Sequence, residues 1–296
     1  MDSKKTIYRV SIIVTIAIAV HIVLALIVGA IGKQIWNSEI PDLFRMVASL
    51  ILMDGVILPA MCFAFSKIPG KLPVKDEMSV KDFFMFFAMV YGLAICCNYI
   101  TVMVNGVLME LTGHGSLNTV LDMLSTKDTS AKIVTYVFAV IVAPIMEELT
   151  FRRFLLTRLL PYGEKMAIVT SGIMFGLFHG NMSQAFYAAV LGIGLGYMYV
   201  RTGNLRNNIL LHMCINTMGT LAGILLGINP ILGGAFGVIM MIFALWGVTV
   251  FINHKSDMYV EHFEGETKPL EAWKNIGMVI FVVAVVIEII YSFWNA

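Results

Sequence analysis

Charge is what this sequence has least of. Lys, Arg, Asp and Glu make up 13% of its 296 residues, about half the share of a soluble domain, and they balance to a net +1. No basic face for nucleic acid can be built from that balance. Cysteine is scarce too. Cys62, Cys96, Cys97 and Cys214 lie in apolar stretches, two of them adjacent, spaced for neither a disulfide frame nor a zinc ligand set, and they read as small core residues. The His-Glu-x-x-His pattern of zincins is absent. So is the internal repeat that marks transporters built from two corresponding halves.

What is there is apolar. Hydrophobic residues make up 59% of the chain, and the mean hydropathy is +0.86. The fold class that follows is all-α: a polytopic transmembrane helical bundle of about eight or nine spans, one membrane domain over 1–296. The first run, Val10 to Ile31, follows Lys4, Lys5 and Arg9. It is too long for a signal-peptide core and has no small-x-small cleavage site before Lys33, so it is expected to stay as a span. Further runs cover 43–65, with Asp54 and Pro59 inside, and 83–108. A polar loop at 112–130 separates these from a long helix starting near Lys132, which Pro161 and Gly163 stop. Two short segments, 166–179 and 186–200, flank Gly180-Asn-Met-Ser-Gln184. The second carries Gly192, Gly194 and Gly196, which let helices approach closely. A seventh helix carries His212 and Asn216, and spans at 231–252 and 276–294 follow. The loop between these last two, with His254, Glu261, His262, Glu264 and Glu266, reads as a solvated charged loop, not a metal site. Glu288 in the last span has no partner that the sequence reveals.

Basic residues are uneven. Alternate loops hold Lys67, Lys71, Lys75 and Lys81; Arg152, Arg153, Arg158 and Lys165; Arg201 and Arg206; Lys255, Lys268 and Lys274. The opposite loops hold only Lys33 and Lys127. The positive-inside rule then puts the N-terminus in the cytoplasm and the C-terminus outside a cell membrane.

The stretch from Pro144 to Arg153 breaks the apolar pattern with Glu147, Glu148, Arg152 and Arg153. A charge at a helix centre costs about 2.5–3.5 kcal/mol on insertion scales. Glu148 and Arg152 stand four apart, share a helix face and can pair. Glu147 is turned about 100° away and is left free. Three more polar groups sit in apolar helices: His179, His212 and Asn216. Phe175 shares a face with His179, and His212 with Asn216, each pair four apart. Each group alone suits an interhelical hydrogen bond. The set together is costly unless its members meet. If they meet, they form a polar pocket that can do hydrolysis: carboxylate and imidazole as general base, imidazole and amide as oxyanion donors. No serine or cysteine is evidently placed as nucleophile. Zinc held by Glu147, His179 and His212 is the alternative the residue types allow.

Three motifs in this order, Glu147-Glu148-x-x-x-Arg152, Phe175-x-x-x-His179 and His212-x-x-x-Asn216, resemble the CPBP family of intramembrane proteases. It is also called the Abi family and includes the Ras-converting CAAX endopeptidases. The resemblance covers roughly 132–227, a catalytic core flanked by spans in 1–131 and 228–296. It implies a glutamate-type protease without a cofactor. Glu147 and His179 would activate water, His212 and Asn216 would form the oxyanion hole, and Glu148, Arg152 and Phe175 would support the site. The implied partners are a peptide or membrane-protein substrate and the lipid bilayer. Bacterial members are linked to peptide maturation and to self-immunity against bacteriocins, so a non-catalytic immunity or scaffold protein of the same fold is a second expectation. A transporter using Glu147 as a proton relay is a third. In a helix starting near Lys165, His179 stands about 20 Å from the start, whereas His212 is only about 6 Å into its own. A short, tilted hairpin with its tip inside the protein would reconcile the two.

Overall fold

The computed structural model describes residues 2–37, 40–115 and 128–294. The described residues are helical, with no strand. In chain order the helices are α1 (Ser3–Ile35), α2 (Asp42–Ser66), α3 (Val80–Thr112), α4 (Thr129–Tyr162), α5 (Glu164–Phe178), α6 (Met182–Thr202), α7 (Leu205–Ile228), α8 (Pro230–Asp257), a short α9 (Pro269–Trp273) and α10 (Ile276–Trp294). Seven of them, all but α5, α6 and α9, are long and apolar enough to cross a membrane. With the short α5 and α6, this agrees with the expected eight or nine spans. Most of the polar loop expected at 112–130 lies outside the described residues. His114 at its start is not free in solvent: its ring lies 4.6 Å from that of Trp294.

Ridges of small residues, rather than differences in hydrophobicity, bring these helices together, as expected where lipid is as apolar as leucine. The α5–α6 hairpin is the tightest case. A Cβ on Gly176 would come within 2.3 Å of the Ala185 carbonyl oxygen, and one on Gly172 within 2.5 Å of the Ile193 nitrogen. Gly192 packs against Gly172 in return. Helix α6 is the wall shared by two cores. One joins Ala188 and Tyr199 to Val14, Leu58, Phe151, Phe175 and Phe281. The other joins Leu191, Leu195 and Met198 to Tyr91, Leu211 and Ala244.

Two pairs of helices run parallel. Thr135 bonds Met46 and Thr150 lies 3.2 Å from Cys62, which aligns α2 with α4. Asn275 donates to the Lys4 carbonyl at 2.8 Å, Gly277 packs on Tyr8 and Ser11 donates to Met278, which aligns α1 with α10. The polar loop after α8 folds over the start of the hairpin. Glu164 takes an ion pair from Arg201 and the backbone N–H of Glu261, and Thr267 donates to the Tyr162 carbonyl at 2.7 Å.

Candidate active site

Helix α4 is not regular, and its irregularity builds the site. Residues Phe138–Val142 form a wide π-helical turn, in which the Ala143 N–H bonds the Phe138 carbonyl five residues back. The next residue is Pro144, which has no N–H to give. The carbonyl it would have served in that register is Ala139, and the Asn216 side-chain N–H takes it at 2.8 Å. A proline three residues before Glu147 thus creates the acceptor that anchors Asn216 from α7.

The two adjacent acids part as their spacing required. Glu148 is fully buried and pairs with the equally buried Arg152, Oε2 to Nε at 3.1 Å. The Arg152 guanidinium also covers the Phe175 ring, 4.6 Å from its centroid. Glu147 has 19% of its side chain exposed and forms no ion pair with Arg152. Glu148 does more than hold the arginine. His212, on α7, presents Nδ1 to Glu148 Oε1 at 3.0 Å, and its Nε2 lies 3.7 Å from Glu147 Oε2. An ionised carboxylate only accepts, so the His212 Nδ1 carries the proton and Nε2 faces Glu147.

One residue of this network escaped sequence reasoning. Asn208 is fully buried and donates through Nδ2 to Glu148 Oε2 at 3.2 Å and to the Leu195 carbonyl at 2.7 Å. Its signal was present. Asn208, His212 and Asn216 recur at four-residue intervals and so share one face of α7. The apolar run begins at Ile209, so hydropathy alone leaves Asn208 in the preceding polar stretch.

His179 reaches the site differently. It stands at the C-cap of α5, and its Nδ1 donates to the Phe175 carbonyl at 2.9 Å, leaving Nε2 as a bare acceptor. The turn that follows is fixed by its own side chains. Asn181 donates to the His179 carbonyl at 2.8 Å, caps α6 through the Gln184 N–H and accepts from Ser183. Both imidazoles lie edge-on to the one Phe175 ring, His179 at 5.0 Å and His212 at 5.8 Å between centroids. Phe175 is therefore the floor on which residues from α4, α5 and α7 converge. The tip of the hairpin shares a cavity with residues of α1, α3 and α10.

Glu147, Glu148, Arg152, Phe175, His212 and Asn208 form one connected group. Asn216 is held beside it on Ala139, and His179 joins it through Phe175. Among the described residues no group of three or more His, Cys, Asp or Glu side chains that could hold a metal ion is found. Asp54 is buried on a π-helical turn of α2, its Oδ1 without a hydrogen-bond partner among the described residues.

Fold and site together define a polytopic helical membrane protein with a polar, buried constellation at the meeting of three helices, α4, α5 and α7. Residues 129–218 match the model of the Rce1-like family, described as type II CAAX prenyl endopeptidases. The matched block contains every residue of the constellation and all three motifs that resemble the CAAX-type intramembrane proteases. No curated protein and no solved structure matches the chain.

Proposed function

We propose that the protein is an intramembrane endopeptidase in which Glu147 and His179 activate the attacking water. The carrying observation is the position of His212, 3.0 Å from the arginine-locked Glu148 and 3.7 Å from the free Glu147, inside the block that matches the family. A water between Glu147 and His179 gives its proton to Glu147 while His179 Nε2 orients it. Its oxygen attacks the peptide carbonyl carbon. The imidazolium form of His212 donates Nε2–H to the developing oxyanion while Nδ1–H stays on Glu148, and the second N–H of Asn216 donates beside it. On collapse the C–N bond breaks and Glu147 returns its proton to the leaving amine. No step needs a metal. The register of α1 with α10 supports an odd number of crossings between them and so termini on opposite sides; the basic bias of alternate loops supports the N-terminus as the cytoplasmic one.

The test is a proteomic comparison of peptides released from membranes carrying the wild type or Glu147→Gln. Peptides that depend on wild-type Glu147 are expected. Identical peptide sets at equal protein levels would refute the assignment.

A further inference from the structure

Beside the His179 turn lies a cavity of about 800 Å³, and neither Glu147, Glu148, His212 nor Asn216 is among its walls. Residues 179–183 of the hairpin tip form one wall, His21 of α1 and Asn105 of α3 two others, and Glu288 and Tyr291 of α10 the fourth. This volume is within the range of small-molecule and side-chain pockets, roughly 300–1,000 Å³.

Glu288 sets the chemistry of that space. Its carboxyl group packs directly on Gly180, where a Cβ would come 2.5 Å from Glu288 Cδ; Gly180 has φ +62°, so the turn needs glycine twice over. Glu288 Oε2 is buried without a hydrogen-bond partner among the described residues. Among the described residues no lysine or arginine lines the cavity. A carboxylate in the middle of an otherwise apolar span opposes insertion, and burying it without a donor adds to the cost. Nothing in α10 needs it: neighbouring Phe281 and Val285 supply the packing. A carboxylate is an acceptor only, and its strongest complement is a cationic donor.

We infer that this cavity is a substrate subsite and that Glu288 selects a lysine or arginine side chain near the scissile bond. The inference rests on the reading of His179 as a water-activating residue, because His179 supplies the wall that the cavity shares with the site.

Binding can be tested without turnover. Glu147→Gln protein would be placed in phosphatidylcholine nanodiscs, where no lipid offers a primary ammonium. The ligands are fluorescent apolar peptides of about twenty residues, long enough to span, each carrying one lysine at a different position, with an all-norleucine parent. One lysine position, or two neighbouring ones, should bind about tenfold tighter than the parent, the gain of one charge-assisted hydrogen bond. Glu288→Gln added to the same protein should remove that gain, so that the lysine peptide binds no tighter than the parent. Acetylating the preferred lysine should remove it as well, and that arm needs no further protein variant. The inference is overturned if no lysine position outbinds the parent, or if the gain survives acetylation or Glu288→Gln. Failure of the protease reading looks different: lysine peptides would bind by this rule, yet protein with Glu147 intact would never cut them.

Discussion

Replacing Glu148 by glutamine should cost far more stability than the same change at Glu147, and the structure gives the size of the difference. Arg152 is fully buried, and its terminal nitrogens have no hydrogen-bond partner. Its charge is met by Glu148 at 3.1 Å and by the face of Phe175. Removing one partner of a buried ion pair costs about 3–5 kcal/mol, because the other charge is stranded. A cation–π contact worth about 0.5–2 kcal/mol does not replace it. An amide at 148 also offers one acceptor oxygen where the carboxylate receives both His212 and Asn208, which adds about 1 kcal/mol for the lost bond. Against a total stability of about 5–15 kcal/mol this is a large fraction. Glu147 is partly exposed and in no tight pair, so its glutamine variant should stay within about 1 kcal/mol of wild type. Reversible unfolding of the purified variants in matched mixed micelles measures both. The double variant Glu148→Gln/Arg152→Met, which removes both charges, should recover more than half of the loss. Equal stability of Glu147→Gln and Glu148→Gln, or a double variant no better than Glu148→Gln alone, would refute the reasoning.

Asn216→Ala should lower turnover of a cleaved substrate about 10²–10³-fold with little change in KM, as for loss of one oxyanion donor, and kinetics on detergent-purified protein check it. The same preparations should cleave without stoichiometric zinc; elemental analysis finding one zinc per chain, lost with activity in both His179→Ala and His212→Ala, would install a metalloprotease mechanism instead. Gly176→Ala should destabilise the fold by about 1–3 kcal/mol, since the added methyl meets the backbone of α6 and not a movable side chain; an unfolding midpoint equal to wild type would contradict the packing of the hairpin. Cysteines placed at Ser79 and Ser256 should resist a membrane-impermeant thiol reagent in intact cells, and labelling of either from outside would reverse the proposed orientation.

The parts of this protein that depend on near neighbours in the chain were legible in its sequence. Long apolar runs give spans, because lipid leaves a backbone no other way to satisfy its polar groups. Glu148 and Arg152, four residues apart, give a pair whose existence depends on helical periodicity alone, and it forms even though Leu149–Leu156 is π-helical. The motifs at 175–179 and 212–216 marked which faces carry polar groups. Tertiary structure decided how those faces meet. Nothing in the sequence says that His212 bonds Glu148 and approaches Glu147, that Asn208 joins Glu148, or that the ring of His212 meets Phe175, because each contact joins residues from different helices. The role of Pro144 was hidden for another reason: a proline reads as a missing donor, and only the register of the π turn shows which carbonyl it frees and that Asn216 takes it. Glu288 had no account from sequence because its neighbour is the backbone of Gly180, more than a hundred residues away, brought there by the packing of the last span against the turn of the α5–α6 hairpin.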